Sequence, residues 1–442
     1  MTYSLIRNEE SLKAQMEDAG IELPVAKDAS VLTKPLKIGS RTAANRLAYQ
    51  PMEGCDGTPD GIPDELTVRR YVRFAHGGPG LIWFEATAVM REGRANPRQM
   101  FLDEKNLDAF KKFVEGIREE SVKTTGIDPI IICQLTHSGR YSKPNGVPEP
   151  LVAYLNPLFE KDKPLDPDRV VSDDYLDRVG EALVNGARLA EKAGFDGADI
   201  KSCHRYLLSE LLSAYERPGK YGGSYENRTR LLRETFGSAM SGAGKDFIIT
   251  SRLNVYDGFP YPYGFGVDPG EDLKPNWTEG TRLISDLSSL GAKLLDVTMG
   301  NPYVNPHVNR PYVRGPYEAP EHPLFGVQRM LTGTREVRKN APNTAIICSG
   351  LSYLGAMGPR VAAAGIESGW FEMAGFGRQT LAYPDLALDI TEKGGLVPEK
   401  LCMACSKCTE IMRQPGGTPG CVVRDSGVYA PLYRKLVLGQ NK

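Results

Sequence analysis

Surplus charge is what this sequence most lacks: 54 lysines and arginines stand against 55 aspartates and glutamates over 442 residues, a formal net charge of −1. Without a basic excess there is no electrostatic footprint for nucleic acid or an anionic membrane surface, which leaves a small molecule as the expected partner. Long hydrophobic runs are missing too. No stretch approaches the roughly 20 apolar residues that span a bilayer, and the start, MTYSLIRNEESLKAQMEDAG, has no apolar core of the kind a signal peptide carries. A cytoplasmic location is the expectation. The chain also lacks a convincing G-x-G-x-x-G turn opening a strand–helix–strand unit, the usual dinucleotide cradle. Cysteine is scarce at eight residues, which speaks against a disulfide framework.

What is present is a regular succession of apolar runs. Eight recur: NRLAYQPM (45–52), GLIWFEAT (80–87), DPIIICQLT (128–136), FDGADIKS (195–202), FIITSRLNV (247–255), AKLLDVTMG (292–300), NTAIICSG (343–350) and WFEMAGFGR (370–378). Runs this apolar suit strands buried on both faces. Amphipathic stretches lie between them, such as DDYLDRVGEALVNGARLAEKAG (173–194) and WTEGTRLISDLSSLGA (277–292). Eight strand–helix units predict a (β/α)₈ TIM barrel, with a doubly wound α/β sheet as the alternative. Pro- and Gly-rich insertions follow strands five and six (256–276 and 301–323), where a barrel builds its active site. Residues 1–31 read as an N-terminal extension, 32–395 as the barrel and 396–442 as a separate tail.

That tail holds four of the eight cysteines, Cys402, Cys405, Cys408 and Cys421, in the spacing C-x₂-C-x₂-C-x₁₂-C. Three close thiolates and a fourth returning from a loop suit a [4Fe–4S] cluster. Structural zinc is the competing ligand, although it usually takes two C-x₂₋₄-C pairs. Cys55, Cys133, Cys203 and Cys348 are scattered and read as small hydrophobes. Only 34 residues follow Cys408, too few for a dinucleotide-binding domain, so reducing equivalents are expected from a separate protein.

The ordered segments NRLAYQPM, GLIWFEATAV, QLTHSGR, GFDGADIKSCHRYLLSELLS, KYGGSYENRTRLL and MAGFGRQTLAYPDL resemble those of the old yellow enzyme family of flavin mononucleotide (FMN) barrels. The cysteine spacing is similar to that of its iron–sulfur branch, which includes dienoyl-CoA reductases, enoate reductases and trimethylamine dehydrogenase. The resemblance implies that Pro51, Met52 and Glu53 lie along the flavin near its N5/O4 edge and that the Ala86 amide meets the ring. It further implies that Gln134 hydrogen-bonds the pyrimidine side and Arg252 faces N1/O2, while Gly350, Gly377 and Arg378 hold the phosphate. On strand four the family usually carries His-x-x-His or His-x-x-Asn and then a tyrosine; here the positions are Lys201, His204 and Tyr206. Lys201 departs from the pattern and favours an anionic or strongly polarised acceptor, while Tyr206 is the expected proton donor. Asp199 and Glu226 are the alternative ion-pair partners of Lys201. Glu53 stands where the family often has Thr or Cys. No covalent flavin link is therefore expected, and Glu53 itself is left without a role.

The implied activity is FMN- and [4Fe–4S]-dependent reduction of an activated C=C bond, with electrons from a separate NAD(P)H-dependent flavoprotein or ferredoxin. Two alternatives stand beside it: oxidation of an amine, and a non-catalytic electron-transfer subunit. His137 is read as orienting Gln134 or packing beneath the flavin. Arg205, Arg310 and Arg314, with Tyr303, His307 and Tyr312, are candidates for a basic aromatic mouth, solvated loop charge being the alternative. The KYGGSYENR stretch (220–228) is read as structural.

Overall fold

Each of the eight apolar runs carries a strand in the computed structural model, which describes residues 4–440. The strands are Leu47–Tyr49, Leu81–Ala88, Ile130–Thr136, Gly197–Ile200, a fifth broken at Ser251 into Ile248–Thr250 and Arg252–Asn254, then Leu294–Thr298, Ala345–Cys348 and Met373–Phe376. All pair in parallel, and the eighth lies beside the first, with Ala374 opposite Leu47. That closure excludes the doubly wound sheet, whose first and last strands are not neighbours. The two halves of strand five face different neighbours, the first half strand four and the second half strand six, so the ring closes through Ser251. Residues 1–3 and 441–442, the outermost parts of the expected extension and tail, lie outside the described residues.

Burial on both faces has a plain origin. Ala48, Leu81, Trp83, Ile130, Ile132, Ile248, Leu294, Ile347 and Met373 point inward and form one cluster. Their chain neighbours point outward into the cluster shared with the helices. With period-two alternation and apolar residues on both sides, either face gains roughly 25 cal/mol for each Å² removed from water. A short antiparallel hairpin, Leu36–Ile38 with Arg41–Ala43, adds Ile38 and Ala43 to the inner cluster. Three-residue strands this short carry too little periodicity to be read from sequence.

The long amphipathic stretch becomes helix Asp173–Lys192, capped by Ser172, whose Oγ accepts from the Tyr175 amide at 3.1 Å. The stretch beginning at Trp277 becomes helix Thr278–Ser289. In the N-terminal part, helix Glu9–Ala19 is tied to the barrel by Arg360 on Glu9 (2.8 Å) and Tyr353 on Gln15 (2.8 Å).

The cysteine-rich tail folds back onto the strand ends. Ala404 O accepts from the amides of Val313 and Arg314, and Cys55 Sγ donates to Met412 O at 3.2 Å. Beneath it lies a buried charge cluster. Arg70 grips both oxygens of Asp56 at 2.7 and 3.0 Å and Glu85 Oε1 at 2.6 Å, while Thr418 donates to Asp56 and Pro419 O lies 3.4 Å from Arg70. One cation thus serves two acids. Burial raises the Glu85 carboxyl to about 7, Arg70 opposing the rise and Asp56 adding to it.

Candidate active site

The C-terminal ends of the strands open into a cavity of about 880 Å³, open solvent included. Pro51, Met52 and Glu53 line it from beyond strand one, Gln134 from strand three, Lys201 and His204 from strand four and Arg252 from strand five. Gly350, Gly377 and Arg378 close the far end. Residues that the sequence reading had scattered over more than 300 positions therefore meet in one pocket. Ala86 is not on this lining. It is buried within strand two, where its carbonyl accepts from Gln99 Nε2 at 3.2 Å.

Two buried carboxylates, neither foreseen as a site residue, hold the floor. Asp199 Oδ2 accepts from Gln134 Nε2 (2.7 Å) and Trp83 Nε1 (3.0 Å), and Oδ1 from the Arg252 amide (2.8 Å). Burial pushes its carboxyl up to about 7 against those hydrogen bonds. Asp296 Oδ1 accepts from Gln50 Nε2 (3.1 Å) and Ser349 Oγ (3.0 Å), and its Oδ2 lies 3.0 Å from Arg252 Nε without hydrogen-bond alignment. Neither aspartate carries a sequence signature, because each acts by fixing another side chain. Lys201 has no carboxylate within ion-pairing distance among the described residues, and Glu226 pairs with Arg282 instead (2.6 Å). The lysine stays at the pocket, where burial depresses its affinity for the proton.

The wall above is built by strained backbone. His204 and Arg205 adopt left-handed φ of 64° and 57°, a conformation that costs non-glycine residues roughly 1–3 kcal/mol each. His204 thereby turns into the pocket while Arg205 turns away. Burial, then Arg252 and Lys201, push His204 well below its ordinary pKa, so the imidazole is neutral. Asn309 Nδ2 donates to Met299 O (2.9 Å) and lies 3.3 Å from Thr298 Oγ1 and 3.1 Å from His204 Nε2. Tyr206 is fully buried beside them, with Lys201 Nζ 3.6 Å from its ring centre. Its hydroxyl is 2.8 Å from that of Tyr303, which donates to Glu53 Oε2 at 2.9 Å.

The glycine end is shaped for close backbone approach. A Cβ on Gly377 would lie 3.1 Å from Met52 Sδ, and Gly350 has a φ of 82°. Arg378 is buried with Nη2 on Pro311 O (2.7 Å) and Nη1 without a partner. Gln50 Oε1 and Glu53 Oε1 are likewise buried and unpartnered. Such atoms are costly in an empty pocket. A planar ring with carbonyl and N–H edges and an attached phosphate satisfies them, so the residues fit FMN.

Arg378 also lines a second, smaller cavity of about 340 Å³, together with Cys402, Cys405, Cys408 and Cys421. The four thiols therefore face one space. Among the described residues no three His, Cys, Asp or Glu side chains stand close enough to share one metal ion. Four thiols lining one space are a donor set that fits a polynuclear cluster, in which each thiolate would bind a different iron. Backbone amides of Ala404 and Arg424 point at the sulfurs of Cys402 (3.4 Å) and Cys421 (3.3 Å). The helix Lys407–Met412 carries Cys408 on the thiol cavity and Thr409 and Met412 on the larger pocket.

Three expectations need correction or sharpening. Arg205 is not part of a mouth: it is buried against Asp257 (2.9 Å), Tyr154 (2.9 Å) and Tyr263 O (2.8 Å). His137 does not line the pocket. Its Nε2 meets Tyr175 OH (2.8 Å), its Nδ1 accepts from the Gly139 amide (3.1 Å), and burial pushes it down to about 4, a neutral turn-forming residue. Of the proposed mouth, Arg310 and Tyr303 reach the pocket, whereas His307 and Tyr312 bond to Tyr317.

Comparison with known proteins agrees with this architecture. The profile of the NADH:flavin oxidoreductase / NADH oxidase family matches residues 31–394. An NADPH dehydrogenase of Geobacillus sp. (strain WCH70) is 34% identical over 210 residues, 46% of this chain and 58% of that protein. Among solved structures, a 2-naphthoyl-CoA reductase complex superposes with a TM-score of 0.71 at 21% identity, over 89% of this chain and 57% of the other. Histamine dehydrogenase from Rhizobium sp. 4-9 gives 0.65 at 19% identity, over 89% and 52%. These two likenesses concern the fold, and the chain spans little more than half the length of the first relative and the first structure. A closed barrel, a pocket suited to flavin at its mouth and a profile match along most of the sequence lead to one assignment: the chain belongs to the NADH:flavin oxidoreductase / NADH oxidase family, the FMN barrels of the old yellow enzyme type.

Proposed function

We propose that the protein is an FMN-dependent oxidoreductase that reduces a C=C bond conjugated to a carbonyl or carboxylate. Electrons would arrive through a [4Fe–4S] cluster held by Cys402, Cys405, Cys408 and Cys421. The observation that carries the reading is Lys201 and His204 on the pocket lining, a cation and a neutral imidazole, with the phenol of Tyr206 buried beside them, its ring centre 3.6 Å from Lys201 Nζ. Bound FMN supplies a hydride to the β-carbon. Lys201 and the ring N–H of His204 take up negative charge on the activating oxygen, an interaction that strengthens as charge develops there. Tyr206 gives its proton to the α-carbon. In the same reading Pro51, Met52, Glu53, Gln134 and Arg252 hold the flavin ring and Gly350, Gly377 and Arg378 its phosphate, while Ala86 lies behind the lining. Arg252 places fixed positive charge beside the ring.

The domain division that goes with this is an extension at 1–31, the barrel at 32–395 and the cluster-bearing tail at 396–442. A separate NAD(P)H-dependent flavoprotein or ferredoxin is the donor, and the helix Lys407–Met412, which faces both cavities, is the support for electron passage between them. Among the described residues no helix is long and apolar enough to cross a membrane.

Amine oxidation is the rival, and a buried lysine in the pocket argues against a cationic substrate. Anaerobic stopped-flow on the reduced protein separates the two: rapid flavin reoxidation by an α,β-unsaturated acid or thioester supports reduction. Bleaching of oxidised flavin by a methylated amine, with no response to unsaturated acceptors, refutes it. If Tyr206→Phe turns over every unsaturated acceptor at the wild-type rate while electrons still pass to a partner protein, the chain is a relay subunit.

A further inference from the structure

We propose that Glu53 and Tyr303 form with Tyr206 a hydrogen-bonded proton relay between the reacting carbon and bulk water. The assignment rests on the ene-reductase reading above and gives Glu53 the role that the sequence left open.

The chain is continuous. Tyr206 and Tyr303 hydroxyls are 2.8 Å apart, and Tyr303 OH is 2.9 Å from Glu53 Oε2, both ordinary hydrogen-bond lengths. It also reaches a source of protons. Glu53 and Tyr303 line both the flavin pocket and a second cavity of about 1170 Å³, whose far wall includes the exposed Lys143 and Gly416; Lys201 and Tyr206 do not line that second cavity. The relay thus begins where water reaches and ends at Tyr206, buried beside Lys201 of the flavin pocket.

Tyr303 is fixed for the task. Its ring stacks on Tyr141 at 4.0 Å with 22° between planes, Arg413 lies 5.1 Å from its centre, and its amide is held by Asn301 Oδ1 at 2.8 Å. Burial and the charge of Glu53 raise both Tyr206 and Tyr303 far above the ordinary phenol value. A phenolate left on Tyr206 after it has protonated a substrate is therefore costly and needs rapid reprotonation.

Each phenol has a single proton, which fixes the logic. With Glu53 ionised, Tyr303 donates to it and Tyr206 donates to Tyr303, so the Tyr206 proton points away from the substrate. With Glu53 protonated, the order reverses: Glu53 donates to Tyr303, Tyr303 to Tyr206, and the Tyr206 proton is free for the α-carbon. In reduction, the hydride adds to the β-carbon and the π electron pair moves to the α-carbon, which takes the Tyr206 proton. Tyr303 then gives its proton to Tyr206, Glu53 gives its own to Tyr303, and water in the second cavity restores it. Two electrons and two protons enter the substrate in all. The proton that Tyr303 receives is carried on Glu53 Oε2, the oxygen 2.9 Å from the Tyr303 hydroxyl.

The test is single-turnover reoxidation of the reduced holoenzyme by an α,β-unsaturated acid, in wild type, Tyr303→Phe, Glu53→Gln and Glu53→Ala. Each variant is expected to reoxidise about 100-fold more slowly per bound flavin, the scale of one general acid, with flavin content measured on each. Sodium formate is expected to restore Glu53→Ala at least tenfold, entering through the second cavity, and to leave Tyr303→Phe slow. Wild-type reoxidation rates in Tyr303→Phe and Glu53→Gln, or no response of Glu53→Ala to formate, overturn the relay and leave the ene-reductase reading intact. If the wild type itself fails to reoxidise with any unsaturated acid or thioester, that reading falls and the relay with it.

Discussion

Replacing Arg70 by Met isolates what one buried cation does for the fold. Arg70 is 3% exposed and is the hydrogen-bonding centre for two acids that are fully buried, Asp56 and Glu85. Removing it leaves both carboxyls in a low-dielectric setting, where they must take up protons. For Asp56, held below its ordinary value in the wild type largely by Arg70, being forced neutral at pH 7.5 from an unfolded value near 3.9 costs about 5 kcal/mol at 1.36 kcal/mol per pH unit. That agrees with the roughly 3–5 kcal/mol measured when one partner of a buried pair is deleted. At pH 5 the same step costs only about 1.5 kcal/mol, so the variant should regain much of its deficit on acidification. Glu85 has the opposite sign in the wild type. Its carboxyl is raised to about 7, so its contribution to stability is full below the unfolded value near 4.3 and is lost as pH rises through 7. Urea unfolding of Arg70→Met and wild type at pH 5 and pH 7.5 reads both effects. A deficit below about 1 kcal/mol at pH 7.5, or one that does not shrink at pH 5, refutes the assignment of Arg70 as the sole compensating charge.

Other residues give sharper readings of the site. Asp199→Asn opposes amide donors to Gln134 Nε2 and Trp83 Nε1; a loss of roughly 1–3 kcal/mol in stability and weaker FMN retention are expected by thermal unfolding and flavin release. Lys201→Met should lower kcat/KM for a carboxylate acceptor by roughly 10- to 150-fold, the equivalent of one charge-assisted hydrogen bond, and affect a neutral unsaturated ketone less; equal losses for both would deny the charge a role. Cys408→Ser should lose most of its iron while keeping a flavin spectrum, and one zinc per wild-type chain by metal analysis would refute the cluster.

The order of elements was legible because burial on both faces leaves an unmistakable mark. Eight apolar runs with no polar alternation, each followed by an amphipathic stretch, specify strands packed between an inner cluster and a ring of helices. The four clustered cysteines were equally plain, because they sit on one short segment, and the fold turns all four onto one cavity. Arg252, Gln134, Gly377 and Arg378, named through the family resemblance, all lie on the pocket. The plugging hairpin and the break at Ser251 left no periodic signal, being three residues long on either side.

Only tertiary structure decided who works with whom. Asp199 and Asp296 read in sequence as polar interruptions of strands, and Arg205 as one more loop cation. Folding turns the first two into anchors for Gln134, Trp83, Gln50 and Arg252, and sends the third into a buried pair with Asp257. Glu53 and Tyr303 lie 250 positions apart, and no local rule joins them. Residue type and spacing set the local chemistry and the face each residue occupies. A hydrogen bond between distant segments depends on ångström-scale distances that arise only when the ring of strands closes and brings its loops together at one end.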